Sequence, residues 1–226
     1  MASSCSKPRV IAIVAIIMIG LLTGYACLSS RDSVSATARA GLKSTAAVMA
    51  TQINASDISG FQPGDETTPK YRAVVEKLRT MRSMDDKILN AYILKVNPDK
   101  TATFLVDDLT FSDPSGSAKI GEISTDPNKE AIFTALSVPA SSEEPYTTKY
   151  GSFMTGYAPI DDSLTDSSGN TVAVLAIDIS AKTYEDAVNA SSFAIILTGV
   201  VSIILILGLI LFCNRGACGT GRGEQK

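Results

Sequence analysis

Val172-Ala173-Val174-Leu175-Ala176-Ile177-Asp178-Ile179 is the run of sequence on which the fold turns. A strand with one wet face alternates apolar and polar residues, because successive side chains point to opposite sides. Residues 172–177 do not alternate, and the run is too short to cross a bilayer. The expectation is therefore a central strand covered on both faces, with a helix on at least one of them. The residues on either side fit a sheet. Tyr146 to Ile160 reads as the preceding strand, joined to this one across Asp161 to Asn170, where Ser168-Gly169-Asn170 supplies turn chemistry.

Further upstream, Asn90 to Val96 and Ala102 to Val106 alternate around the turn Asn97-Pro98-Asp99-Lys100, which predicts a hairpin. Phe111 to Pro145 is turn-rich, broken by a short helix over Lys129 to Leu136. Two helices precede the hairpin. Ser33 to Ile58 carries a stripe of Ala38, Leu42, Ala46, Met49 and Ile53, and Pro69 to Met84 carries one of Tyr71, Val75, Leu78 and Met81. Ala181 to Ser192 returns to helix. The order helix, helix, hairpin, irregular crossing, hairpin, helix predicts an α+β domain with a central antiparallel sheet and a long N-terminal helix.

Apolar runs bracket this domain. Val10 to Leu28 and Phe193 to Phe212 each have the length of a transmembrane helix. The first run also fits a cleaved signal peptide, with Lys7 and Arg9 before it and Thr23-Gly24-Tyr25-Ala26 near its end; retention as an anchor is the expectation. Lys7 and Arg9 precede the first run, and Arg215, Arg222 and Lys226 follow the second, so both termini are expected in the cytoplasm. The expected segments are then 1–9 inside, 10–28 spanning, 29–192 outside, 193–212 spanning and 213–226 inside.

The outer segment carries fifteen basic and twenty-two acidic residues, a net charge of −7, which disfavours nucleic acid as a partner. Histidine is absent, which removes imidazole general-base chemistry and most zinc or haem ligation. The cysteines are Cys5, Cys27, Cys213 and Cys218, none of them in the segment between the runs, so no disulfide framework is expected there. No nucleophile-and-base constellation is visible, and neither an enzyme nor a cofactor or metal site is expected. Asp107-Asp108 and Asp161-Asp162 lack the dense oxygen spacing of a calcium loop and read as solvated turn residues.

The closing passage carries a family likeness. It runs Tyr150-Gly151-Ser152-Phe153-Met154-Thr155-Gly156-Tyr157-Ala158-Pro159-Ile160, then Gly169-Asn170, then the apolar strand ending in Asp178-Ile179. Together with the Tyr92 strand, Phe104-Leu105-Val106-Asp107 and Gly121-Glu122, it resembles the Cache family of extracellular PAS-like sensor domains, in its single-domain form, over roughly Ser33 to Ala187. The resemblance implies a PAS-like sheet with a small-molecule pocket between the sheet and the loops crossing it, and a role in signal transduction. Fourteen residues follow Phe212, so no cytoplasmic output domain is expected in this sequence. The signalling outlet would be a second copy of the chain or a separate membrane partner. For the first, Ala36, Ala40, Ala46 and Ala50 offer small residues on one helix.

Pocket candidates are the aromatic and polar residues that this topology turns toward the loops: Tyr92, Phe104, Asp107, Tyr146, Lys149, Tyr150, Phe153, Tyr157 and Asp178. Each of the aromatic residues has a plain alternative as strand packing. Asp178 closes an apolar strand and must find donors, from backbone N–H groups and a turn or from a cationic ligand. Arg72 and Arg79 on the second helix are either solvated or within reach of an anion. The competing view of the whole is an adhesion or structural protein whose outer domain is an interaction module.

Overall fold

The computed structural model describes residues 6–160 and 172–219, and the side chains of 10–160 and 172–212. The turn at Ser168-Gly169-Asn170, the pair Asp161-Asp162 and the side chains of Lys7, Arg9, Arg215, Arg222, Lys226, Cys5, Cys213 and Cys218 lie outside the described residues. The elements in chain order are α1 (Ser6–Ala50), α2 (Ala55–Ile58), a 3-10 turn (Asp65–Thr67), α3 (Pro69–Arg82), β1 (Ile88–Val96), β2 (Ala102–Asp107), α4 (Lys129–Thr134), β3 (Ala140–Ser141), β4 (Tyr146–Thr148), β5 (Gly151–Pro159), β6 (Ala173–Ser180) and α5 (Ala181–Gly219). The protein is α+β, with a long helix at each end of an antiparallel sheet.

The strand order is β2-β1-β6-β5-β3, with β4 also pairing β5. The apolar run of β6 is thus central. Ala173 to Ile177 are fully buried, and Asp178 nearly so. Absence of alternation has its expected cause: both faces of β6 are covered. One face, through Leu175, Ile177 and their neighbours on β5, lies under α1. A Cβ on Gly156 would stand 2.5 Å from the Leu42 carbonyl oxygen, so only glycine lets the helix backbone rest on β5 there. The opposite face, with Val174 and Ala176, joins a core of Tyr92, Leu94, Phe104, Ile132 and Tyr157.

Two boundaries differ from the sequence reading. The first helix ends at Ala50 and not at Ile58. Its last turn tightens through Gln52 N–H to Met49 O and Ile53 N–H to Ala50 O, and the Thr51 hydroxyl donates to Val48 O at 2.7 Å. The kink delivers Ile53 into the core. Tyr146 to Ile160 is not one strand but a tight hairpin, because Thr148 pairs with Gly151 across Lys149 and Tyr150. Gly151 has φ +140°, a conformation open to glycine, and the Phe153 ring packs where its side chain would be. By contrast α3 begins as expected: Pro69 occupies its first turn and the Thr68 hydroxyl accepts from Tyr71 N–H at 3.3 Å. The β1–β2 hairpin turns at Asn97 to Lys100, where Lys100 has φ 63°.

Ser35–Asp186 form one compact unit, and the helical residues before and after it form another. In the second unit, Cys27 Sγ lies 3.8 Å from Ser192 O. Two helical stretches, Val10–Ala50 and Ala181–Phe212, are long and apolar enough to cross a membrane, and only 6% of the most apolar window of each is buried. A core helix of a soluble protein would be mostly covered. In the first unit, Ala46 and Ala50 are buried by the domain's own sheet, leaving Ala36 and Ala40 exposed. Of the four small residues that offer a second copy a place to pack, two are therefore already covered within the chain.

Candidate functional site

The site is built from two adjacent rows of residues across one face of the sheet. Asp178 on β6 has Asn90 of β1 on one side and Thr155 of β5 on the other. Two residues along β6, hence on the same face, Ala176 has Tyr92 and Tyr157 as its neighbours. Asp107 of β2 lies beside Tyr92 and extends that row. Ala176 is small, so the space over the middle of the second row is left to the two tyrosines. Loops and the β4–β5 hairpin close over the rows with Asp126, Tyr146 and Tyr150.

A cavity of about 30 Å³ lies here. That volume admits one or two water-sized molecules. Seven of the nine candidates line it: Tyr92, Phe104, Asp107, Tyr146, Tyr150, Phe153 and Asp178. Tyr157 is fully buried nearby, with its hydroxyl donating to Asp126 Oδ2. Lys149 is exposed on the hairpin turn. Its Nζ lies 2.7 Å from Glu122 Oε1 and 4.9 Å from the centre of the Tyr150 ring, outside the cavity lining. The Tyr150 hydroxyl donates to the same Glu122 oxygen, and its ring meets Phe104 edge-on at 6.1 Å.

Asp178 finds its donors in side chains. The Thr155 hydroxyl donates to Oδ1 at 2.6 Å, the Tyr92 hydroxyl to Oδ1 at 3.2 Å, and Asn90 Nδ2 to Oδ2 at 3.4 Å. All three donors are neutral, and no Lys or Arg lines the cavity among the described residues. Burial accordingly pushes the Asp178 carboxyl up to about 7, against the pull of these hydrogen bonds. Burial also raises Asp107 to about 6, although its carboxylate accepts from Ala118 N–H and Leu109 N–H, both at 2.8 Å. Tyr92 and Tyr157 are shifted well above the ordinary phenol range by burial, then by the charges near them, and Tyr146 is raised for the same reasons. Tyr150 is pushed up to about 12 by burial and by Glu122. At neutral pH every phenol here is a hydrogen-bond donor with its proton in place.

Asp107 and Asp108 are not the solvated turn residues that their sequence suggests; both are buried. Asp108 accepts from Ala91 N–H at 3.0 Å and is paired with the Arg82 guanidinium of α3. That ion pair joins α3 to the β1–β2 corner. Arg72 and Arg79 are also engaged elsewhere: Arg72 stacks on Phe111 with its guanidinium carbon 4.1 Å from the ring centre, and Arg79 pairs with Glu76 at 3.3 Å.

Asn90, Thr155 and Asp126 escaped the sequence reading. Thr155 and Asn90 were detectable once Asp178 was placed on the central strand, since an antiparallel register supplies its two neighbours. Asp126 sits in the loop before α4, where Asp-Pro-Asn reads as turn chemistry, and only the folded chain brings it under Tyr146 and Tyr157. No family model matches the chain, and no curated protein matches it.

Proposed function

We propose that this chain is a membrane-anchored extracytoplasmic sensor, in which a Cache-like domain between two transmembrane helices binds a small molecule and passes the event to a partner. The observation that carries the reading is the convergence of Tyr92, Asp107, Tyr146, Tyr150 and Asp178 on one cavity at the face of the sheet. Nothing in that constellation resembles a nucleophile with its base, whereas aromatic walls with a few fixed polar groups are the usual make-up of a ligand site. The absence of Lys and Arg from the lining among the described residues favours a ligand that donates hydrogen bonds, with Asp178 and Asp107 offering acceptor oxygens.

A metabolite larger than water needs the cavity to widen. Tyr150 is the natural door: it is half-buried, sits on the two-residue turn of the β4–β5 hairpin, and is held by Glu122 and Phe104. The test is a thermal-shift panel of amines, amino acids and organic acids on the full chain in detergent micelles. A ligand that binds only the native state raises the melting temperature, and the shift grows with the logarithm of ligand concentration above the dissociation constant. A shift that vanishes in Asp178→Asn and Tyr92→Phe supports the reading; no shift across the panel with well-folded protein overturns it.

The cavity's small volume favours the second reading, an interaction module whose outer surface meets another protein. The panel decides between them, since an interaction module gains nothing from small molecules.

A further inference from the structure

A line of side-chain oxygens runs through the middle of the domain. Asp178 Oδ1 lies 2.6 Å from Thr155 Oγ1, which lies 2.7 Å from the Tyr146 hydroxyl oxygen. Tyr146 lies 3.0 Å from Asp126 Oδ2, and the Tyr157 hydroxyl closes the line on that same carboxylate oxygen. Four contacts at hydrogen-bond distance need four protons between their oxygens. With both carboxylates ionised, Thr155, Tyr146 and Tyr157 supply three. If Thr155 donates to Asp178 and Tyr146 to Asp126, the contact between Tyr146 and Thr155 has none, and two oxygens stand 2.7 Å apart with their protons pointing away from each other.

One more proton repairs the line. Placed on Asp178, it donates to Thr155, Thr155 donates to Tyr146, and Tyr146 and Tyr157 both donate to Asp126. We propose that the domain takes up one proton at neutral pH and holds it on Asp178 as the end of this line, so that the proton is itself a ligand of the sheet face.

The surroundings agree. Asp178 on β6 is faced by Asn90 and Tyr92 from β1, Thr155 from β5, Tyr146 from β4, Asp126 from the loop before α4 and Asp107 from β2. Every group in that set is neutral or acidic. Two basic groups of the surrounding elements are committed to other carboxylates, Lys149 to Glu122 and Arg82 to Asp108. No Lys or Arg lines the cavity among the described residues, and the raised affinity of Asp178 for its proton follows from the same burial. Donor count and electrostatics are separate arguments, and both call for the proton.

The experiment is a carbon-13 titration of aspartate carboxyl groups in the full chain in lipid nanodiscs, with the Asp178 signal identified by its loss in Asp178→Asn. The expected midpoint for Asp178 is about 7. A midpoint in the ordinary carboxylate range, about 4, overturns the proposal.

Tyr146→Phe separates the hydrogen-bond line from burial alone. The change deletes two contacts and one proton, so Thr155 to Asp178 and Tyr157 to Asp126 are complete without an added proton, and the Asp178 midpoint falls by at least about one unit. Burial alone predicts no fall, because a phenyl ring is less polar than a phenol; an unchanged or higher midpoint in Tyr146→Phe therefore sinks the line as the cause. Should Tyr146→Phe not fold, Asp126→Asn decides the same point: its amide donates to Tyr146, reverses the line toward Asp178, and lowers the Asp178 midpoint, while an unchanged midpoint overturns the proposal.

Discussion

The two faces of β6 are equally dry but chemically opposite. On one, Leu175 and Ile177 lie under α1, with Gly156 beside them letting the helix backbone touch the sheet. On the other, Ala176 and Asp178 lie in rows with tyrosines, a threonine and an asparagine. Burial alone thus says nothing about purpose. The first face is closed by packing that tolerates no polar atom, the second by hydrogen bonds that tolerate no missing donor.

If that division is right, the largest effect belongs to a charge on the sealed face. Leu175→Asp places a carboxylate where the structure offers no donor, and the full chain should show no cooperative melt of the sheet domain by near-ultraviolet circular dichroism. Leu175→Ala only opens a cavity and should destabilise by about 2–5 kcal/mol in urea titration. Gly156→Ala drives a methyl into the Leu42 carbonyl and should cost about 1–3 kcal/mol on the same measurement; a neutral result would mean that α1 does not bear on β5.

The polar face should answer to pH instead. Asp178 has a folded pKa near 7 against about 4 unfolded, so the protonated group favours the fold. Its contribution is fully present below about pH 4 and is lost as pH rises through about 7. Asp107, raised to about 6, acts in the same direction. The melting temperature of the wild type should therefore lose several degrees, on account of these two groups, between mildly acidic and mildly alkaline buffer, and Asp178→Asn should flatten that slope. A wild type that gains stability over this interval in step with the Asp178 titration would contradict the sign.

Smallest is Tyr92→Phe, which deletes the hydrogen bond from the Tyr92 hydroxyl to Asp178 and should cost about 1 kcal/mol. If it costs as much as Leu175→Ala, the two faces are not energetically distinct.

The central strand was legible in the sequence because six apolar residues without alternation admit few other readings in a chain with hairpin signals on both sides. Part of the cavity lining has a related origin: Asp178 and its strand neighbours on one face share it because side chains at period-two positions of adjacent strands point the same way. What was hidden depends on partners far along the chain. Asp108 reads as a turn residue until Arg82, 26 positions earlier, is folded against it. Asp126 becomes part of the site only through Tyr146 and Tyr157, and its own neighbours in sequence argue for a loop. The end of α1 at Ala50 was hidden because Thr51-Gln52-Ile53-Asn54 holds neither glycine nor proline; the helix stops there because the core needs Ile53, not because the local chain breaks. The hairpin at Lys149-Tyr150 was marked in the sequence by Gly151, whose positive φ was masked by the apolar strand pattern around it.

The meeting of Gly156 with the Leu42 carbonyl has a mechanical meaning beyond its packing. Between most helices and sheets lie side chains that change rotamer and take up small displacements, much as rubber takes up vibration. At Gly156 that layer is missing: backbone rests on backbone, one residue from Thr155 and so one residue from the line of oxygens that ends at Asp178. At this contact a displacement of β5 toward α1 meets main chain directly, with no side chain between to absorb it.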